Sequence, residues 1–170
     1  MPSQAMTVLT SQATQEWYTP PHIISRARIV LGHIDLDPAS NATAQGWIGA
    51  REYYDGDHIL SGLARPWFGR VWLNPPFDAT PAWVDRLSAA YEAGEVVAAL
   101  LLVNSAPGYV WWEALTRARP VVMLRERLRF HRPDGLPGGH AKKGQTIAYY
   151  GADVARFADT FRDLGRVLLP

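Results

Sequence analysis

The chain has 170 residues, of which 48% are apolar, and this length and composition predict a single globular domain with one hydrophobic core. Its 17 basic and 16 acidic residues give a formal net charge of +1, which excludes a polybasic protein that binds nucleic acid through its overall field. Cysteine is absent, which excludes disulfide bonds and thiolate metal sites. The histidines show no metal-ligand spacing, so no metal site is predicted.

The ends and apolar runs of the sequence predict a cytoplasmic protein. No apolar run is long enough to cross a bilayer, and the N-terminus lacks a basic segment followed by an apolar one. Residues 1–15 are rich in Ser, Thr, Gln and Ala and have little hydrophobic pattern, which predicts a flexible N-terminal arm. A single domain is expected over residues 16–170. The sequence gives no indication of the oligomeric state.

Strands and helices alternate along this domain. Helices are predicted over residues 22–31, 80–93, 110–118 and 153–164, with a helical turn over residues 39–44. Strands are predicted over residues 33–38, 69–73, 96–103, 121–124, 145–150 and 166–169. The eight consecutive apolar residues over 96–103 are typical of a strand that is buried on both faces. This alternation indicates an α/β fold, with a doubly wound, mostly parallel sheet flanked by helices.

The most informative stretch is Asn74-Pro75-Pro76-Phe77, which directly follows a predicted strand. An aromatic amine is a weak nucleophile because its lone pair is delocalised into the ring. It attacks a methyl sulfonium more readily when acceptors, such as the Asn74 side-chain oxygen and the next carbonyl group, hold its two N–H bonds. Pro75 and Pro76 offer no competing N–H groups, and Phe77 has a face on which a flat base can stack. The alternative is a plain turn, since Asn-Pro is a common loop dipeptide.

A second stretch, IDLDPAS over residues 34–40, ends an earlier predicted strand. A carboxylate at the carboxyl end of such a strand can face a cofactor. Asp37 would bind the ammonium group of the methionine part of a cofactor, or orient a water bound to it. The alternative is an ordinary Asp-Pro turn, and the glycine fingerprint of dinucleotide-binding folds is absent.

Taken together, several stretches resemble the phage-type DNA N6-adenine methyltransferases, a short family related to Dam-like enzymes. They occur in the family's order: EWYTPP (16–21), IDLDPAS (34–40), GL (62–63) with PW (66–67), VWLNPPF (71–77), LVN (102–104) and RLRF (127–130). The resemblance implies a Rossmann-like class I methyltransferase fold, S-adenosyl-L-methionine as cofactor and DNA as partner. It implies methyl transfer to the exocyclic amino group of an adenine that is flipped out of the duplex. A phage-encoded enzyme would act in the host cell cytoplasm.

The resemblance also implies roles for individual residues. The catalytic D/N-P-P-Y/F motif is matched by Asn74, Pro75, Pro76 and Phe77, with Phe in place of the commoner Tyr. The cofactor-binding positions come from the N-terminal motif and from a D-P-F-x-G-like motif that lacks its glycine here: Trp17, Tyr18, Thr19, Pro20, Asp37, Pro38 and Ser40. Asp57 is a further candidate for binding the cofactor's ribose or adenine, with a solvated loop as the alternative.

The segment from Arg125 to Lys143 is predicted to face DNA. It holds eight basic or histidine side chains and two acidic ones, and its Pro-Asp-Gly and Pro-Gly-Gly turns predict a mobile loop. The predicted DNA-binding residues are Arg125, Arg127, Arg129, Phe130, Lys142 and Lys143. The alternatives are that Arg127 and Arg129 form the solvated face of a strand and that Phe130 packs in the core.

Two other functions are compatible with these patterns. One is methylation of another planar amine, such as an RNA base or a protein glutamine. The other is a non-catalytic DNA-binding protein with a degenerate methyltransferase fold, with which the missing glycine motif is compatible. The pair Trp111-Trp112 would either flank an extruded base or pack in the core.

Overall fold

The structure, a computed structural model, describes residues 18–56 and 61–170. Within them the α-helices are Pro21–Leu31 (α1), Ala42–Ile48 (α2), Thr80–Glu92 (α3), Val110–Ala118 (α4) and Val154–Phe161 (α5). The strands are Leu36–Ser40 (β1), Glu52–Asp55 (β2), Gly69–Leu73 (β3), Val96–Asn104 (β4), Val121–Leu124 (β5), Arg129–His131 (β6), Pro137–His140 (β7), Gln145–Tyr150 (β8) and Gly165–Leu168 (β9). The predicted N-terminal arm, Trp17 and Asp57 lie outside the described residues.

Seven of these strands form a central sheet in the order β2-β1-β3-β4-β8-β5-β9. The pairs from β2 to β4 are parallel, whereas β8 is antiparallel to β4 and β5, and β9 is antiparallel to β5. Five of the seven strands therefore point in one direction, and the sheet is mostly parallel as predicted. The chain passes from β1 outward to β2 and then returns to β3 on the other side of β1. The strand order reverses between β1 and β3, which is where such sheets bind ligands.

Helices cover both faces of the sheet, each over its own apolar core. On one face Ile24 of α1 and Phe157 of α5 are fully buried together with Trp72 of β3. On the other face Leu87 of α3 and Leu115 of α4 are buried against neighbours from β3 and β4. The predicted doubly wound α/β fold is confirmed. No helix among the described residues is long and apolar enough to cross a membrane.

The first strand and the helix after it lie later in the chain than predicted. β1 runs two residues past the predicted end at Pro38, and its register with β2 shifts between Asp37 and Ser40. Pro38 can enter the strand because its missing N–H coincides with this irregularity. Asn41 caps α2 by accepting a hydrogen bond from the Ala44 N–H at 2.9 Å, so the helix begins after Asn41. β2 has no counterpart among the predicted elements.

Fewer residues of β4 are buried on both faces of the sheet than its apolar sequence predicts. Val97 is 60% exposed, and burial on both faces begins only at Ala99. The register between β3 and β4 shifts at this point, where Val96 pairs with Gly69 and Ala98 with Arg70. Val97 is thus the extra residue of a bulge, and β8 does not pair with β4 before Ala99.

The basic segment predicted as a mobile loop contains an antiparallel hairpin formed by β6 and β7. Its turn spans residues 132–136, where the Arg132 N–H donates to the Leu136 carbonyl at 2.9 Å. One end of β6 also pairs with the chain just before α1. Tyr18 and His131 exchange two backbone hydrogen bonds of 2.9 and 2.8 Å. The hairpin is therefore attached to the segment that enters the domain.

Candidate active site

A cavity of about 420 Å³ opens where the carboxyl ends of β1 and β3 lie side by side. We call it the first cavity. It is lined by Tyr18, Thr19, Asp37, Ala39, Ser40, Asn41, Ala44, Ile48, Trp72, Asn74, Pro75, Pro76, Phe77 and Asp78. All four residues of the Asn74–Phe77 motif thus lie together with the carboxylate of β1 at the strand-order reversal. Its charged lining residues within the described chain are both acidic.

Asn74 presents an unsatisfied acceptor in this cavity. Its Nδ2 group donates to the Thr19 hydroxyl at 3.2 Å, while its Oδ1 atom is buried and has no hydrogen-bond partner within residues 18–56 and 61–170. A buried carbonyl oxygen without a partner costs free energy, because water no longer solvates it. The Oδ1 atom is therefore ready to accept an N–H group from a ligand.

The residues after Asn74 lead into a short helical turn that carries an aromatic ring. Pro75 and Pro76 lack N–H groups, and a short 3₁₀ helix over Phe77–Ala79 follows them. The Thr80 hydroxyl donates to the Phe77 carbonyl at 3.0 Å and fixes the end of this turn. The Phe77 side chain is 39% exposed, so much of its ring surface is open to a ligand.

Asp37 is the acidic centre of the first cavity. Only 2% of it is exposed, and its carboxylate accepts hydrogen bonds from the Ala39 N–H at 3.3 Å and from the Gln45 amide at 3.0 Å. Burial raises the pKa of Asp37 to about 7, although hydrogen bonds from Ser40, Ala39 and Gln45 act in the opposite direction. A cation bound beside this carboxylate would stabilise its ionised form.

A second cavity, of about 490 Å³, lies beyond Phe77 and has the opposite charge. Its lining residues are Phe77, Asn104, Phe130, Gly139, His140, Ala141, Lys142 and Lys143. The Phe77 and Phe130 rings meet edge to face, with centroids 6.2 Å apart. No salt bridge joins Lys142 or Lys143 to any residue that the structure describes. Phe77 is thus shared by an acidic cavity and a basic one.

Comparison with protein families matches residues 6–162 to the model of DNA N-6-adenine-methyltransferase (Dam). The chain belongs to the Dam family. This membership confirms the resemblance to Dam-like enzymes and indicates an adenine methyltransferase. No curated protein matches the chain significantly.

A weaker likeness relates this Dam-family chain to a solved structure. A dimethyladenosine transferase from Plasmodium falciparum superposes with a TM-score of 0.47 and 12% sequence identity, over 86% of this chain and 67% of that one. A likeness of this size supports no inference about substrate.

The predicted cofactor-binding residues divide into two groups. Tyr18, Thr19, Asp37 and Ser40 line the first cavity. Pro20 and Pro38 are buried beside it without lining it, and Pro20 instead sets the start of α1.

The position of Pro38 also explains why a glycine occupies the first place of the Gly62-Leu63 stretch. A Cβ atom at Gly62 would collide with the Pro38 carbonyl oxygen, so only glycine fits there.

The predicted DNA-binding residues lie along two neighbouring cavities. Lys142 and Lys143 line the second cavity with Phe130, which is also 96% buried and packs in the core. The exposed Arg125, Arg127 and Arg129 line a third cavity of about 300 Å³. His140 lines both cavities and accepts a 3.1 Å hydrogen bond from the Arg129 guanidinium. The core-packing alternative for Phe130 is therefore correct, and it does not remove Phe130 from the cavity.

The Trp111-Trp112 pair packs in the core. Trp112 is 7% exposed, and Trp111 packs against the core on the α3 face of the sheet. Neither residue lines the first or the second cavity. The interpretation of this pair as flanking an extruded base has no support in the geometry.

Sequence reasoning missed Gln45, which organises the floor of the first cavity. Its amide nitrogen donates to Asp37 at 3.0 Å and to the Ser40 hydroxyl at 2.7 Å, and its oxygen accepts from the Ala50 N–H at 2.9 Å. The signal available in the sequence was Asn41, a strong helix N-cap. A helix that begins after Asn41 places Gln45 one turn in, where it can reach back toward β1.

Trp47 is a second missed residue. Its indole N–H donates to the Thr19 carbonyl at 3.1 Å, and its ring meets the Tyr18 ring edge to face with centroids 5.3 Å apart. Trp47 lies on the same short helix as Gln45. One helix therefore holds both the carboxylate of β1 and the segment before α1.

Proposed function

We propose that the protein transfers a methyl group from S-adenosyl-L-methionine to the exocyclic amino group of adenine in DNA, which forms N6-methyladenine. The observation that carries this proposal is the Asn74 side-chain oxygen. It is buried without a partner among the described residues, and it lines the acidic cavity three residues before the ring that this cavity shares with the basic one.

The residues of the first cavity fit the cofactor. S-adenosyl-L-methionine supplies an activated methyl group on a positively charged sulfur when it is bound. The buried Asp37 would hold its ammonium group, with Gln45 and Ser40 keeping the carboxylate in place. The absence of basic side chains among the lining residues suits a cationic ligand. A cavity of about 420 Å³ also lies within the usual size range of cofactor sites.

The chemistry that the motif supports is polarisation of an amine. The Asn74 Oδ1 atom would accept one amine hydrogen, and the carbonyl group after it would accept the other. Both interactions would favour the state in which the nitrogen lone pair leaves the ring and attacks the methyl carbon. The C–N bond would form as the carbon–sulfur bond breaks and the sulfonium becomes a neutral thioether, and the amine proton would then pass to water. These acceptors are fixed before the reaction begins, so little reorganisation is needed at the transition state.

The second cavity supports a nucleic-acid base as the acceptor. A base must leave the duplex to expose its amino group, which costs a few kcal/mol that stacking partly offsets. Phe77 offers a half-exposed ring for such stacking, and Phe130 supports that ring from the side. Lys142, Lys143 and His140 provide positive charge beside it, where the phosphates of a strand would pass.

Product identification tests the proposal. The protein is incubated with duplex DNA and cofactor that carries a labelled methyl group, and the DNA is digested to nucleosides. We expect label in N6-methyl-2′-deoxyadenosine, and roughly a hundredfold less or lower still with Asn74→Ala as the matched control. Parallel reactions with RNA of the same sequence and with a glutamine-containing peptide test the other planar amines. Label only in RNA or peptide, or no cofactor binding by calorimetry, would contradict the proposal.

A further inference from the structure

We infer that Thr19 is a positioning residue for methyl transfer, which acts by fixing the amide of Asn74 so that its oxygen faces the first cavity. The inference rests on the proposed function, in which that oxygen polarises the amine. It differs from the cofactor-binding role that the family resemblance implies for Thr19, because here the hydroxyl acts on the acceptor side of the reaction.

The contact between the two side chains carries the inference. Asn74 Nδ2 donates to Thr19 Oγ1 at 3.2 Å across 55 residues of sequence. Thr19 is only 2% exposed, so water does not compete for its hydroxyl. The other end of the same amide, Oδ1, has no partner in the described part of the chain. In this arrangement the hydroxyl oxygen accepts from the nitrogen end of the amide, and the oxygen end is left for the ligand.

This orientation matters because an asparagine amide is nearly symmetric in shape and opposite in chemistry at its two ends. A half-turn about its last bond exchanges the oxygen and the NH2 group while the volume stays the same. The turned amide would present two donors to an amine that needs acceptors. A partner that holds the amide in the observed orientation thus acts on the reaction through Asn74 and not through a contact with the amine.

The structure holds the Thr19 hydroxyl itself firmly in place. The Thr19 backbone carbonyl oxygen accepts the Trp47 indole N–H at 3.1 Å, and the preceding Tyr18 pairs with His131 through two backbone hydrogen bonds. Pro20 follows at once, and its carbonyl accepts from the Ile23 N–H at 3.0 Å in the first turn of α1. Thr19 is also β-branched, which restricts its own side-chain rotation.

The test compares two replacements of Thr19. Thr19→Val keeps the shape and removes the acceptor, so we expect kcat to fall about tenfold, equivalent to about 1.4 kcal/mol, with cofactor affinity within about twofold. Thr19→Ser keeps the hydroxyl and should restore most of kcat. Thermal melting verifies that each variant is folded. If the valine variant does not fold, Thr19→Ala removes the hydroxyl without introducing a new contact.

A double-mutant cycle shows whether the effect passes through Asn74. In single-turnover reactions with Asn74→Ala, adding Thr19→Val should cause no further loss of rate. The inference is overturned if the loss is the same in both backgrounds, if serine does not restore the rate, or if cofactor affinity falls while kcat stays. A near-normal rate for Asn74→Ala alone would instead contradict the proposed function.

Discussion

The first and second cavities differ in charge and in the elements that form them, although they share the Phe77 ring. The first is formed by the ends of parallel strands and contains acidic but no basic lining residues. The second is formed largely by the hairpin segment and contains basic but no acidic lining residues. Two ligands of opposite charge, a cationic cofactor and a polyanion, would therefore be directed to opposite sides of one motif. A net charge of +1 conceals this separation, because the two fields cancel in the sum.

The largest effect is expected at the boundary between the cavities. Asn74→Ala removes the unpaired acceptor, so turnover should fall roughly a hundredfold or more, while binding of both ligands changes little. Turnover is measured with labelled cofactor, and cofactor affinity by calorimetry. Near-normal turnover would mean that the Asn74 side chain does not polarise the amine in the reaction.

The charge of the first cavity is tested by Asp37→Asn. The amide keeps the shape and removes the negative charge, so cofactor affinity should fall roughly ten- to hundredfold while DNA affinity holds. Ser40→Ala is a useful comparison, because it removes a hydrogen bond to the carboxylate without removing the charge. A loss of DNA affinity with unchanged cofactor affinity would reverse the assignment of the two cavities.

The pH dependence of cofactor affinity provides a second test of the Asp37 charge. The pKa of Asp37 is raised to about 7, and a bound cation favours the ionised carboxylate, so cofactor affinity should fall by up to about tenfold per pH unit below pH 7. In the free protein the raised pKa favours the protonated native state. The stability that the native state gains from this raised pKa is complete below the unfolded-state pKa of Asp37, near 4, and is lost as the pH rises through 7. Asp37→Asn should thus unfold at a higher temperature than wild type at pH 8, and should lack this part of the pH dependence of affinity.

Variants of Phe77, the ring that the two cavities share, test whether a base stacks on it. Phe77→Ala should raise the KM for DNA about tenfold, because stacking on an aromatic ring is lost, while cofactor affinity changes less. Phe77→Tyr retains the ring and should remain close to wild type. Equal kinetics for the alanine and phenylalanine forms would indicate that no base stacks here.

The smallest effect is expected for the second cavity, since each exposed cation contributes little. Replacing Lys142 and Lys143 by Gln should lower the slope of log affinity against log salt by up to about one unit for each lost phosphate contact. Cofactor affinity should not change. Replacing Arg132, which pairs with Asp134 at 2.7 Å, provides a matched control at the tip of the hairpin. An unchanged slope in the double variant would mean that DNA lies elsewhere.

The sequence was sufficient for the parts of the site that depend on local order. Asn74 and Phe77 could be predicted because a strand followed by this motif dictates where the side chains emerge. Gln45 was missed, since its role requires a helix that folds back onto β1, and only the Asn41 cap indicated where that helix begins. Val97 was misjudged for a related reason, because the burial of a strand residue depends on the register of its neighbours. Contacts between distant segments, such as Thr19 with Asn74, are invisible to pattern reasoning.

The position of β8 means that both of its neighbours in the sheet are synthesised before it. β8 lies between β4 and β5, although it follows both in the chain, and its residue Gln145 contacts Asn104 across 41 residues. At synthesis rates of roughly 5–20 residues per second, the ribosome takes about 2–8 s to add them. During that interval the apolar edge of β4 has no partner strand on that side, while all strands that frame the first cavity already exist. The β4 edge can therefore pair with a wrong strand until β8 has been added, whereas the pairing of β1 with β3 does not wait for β8.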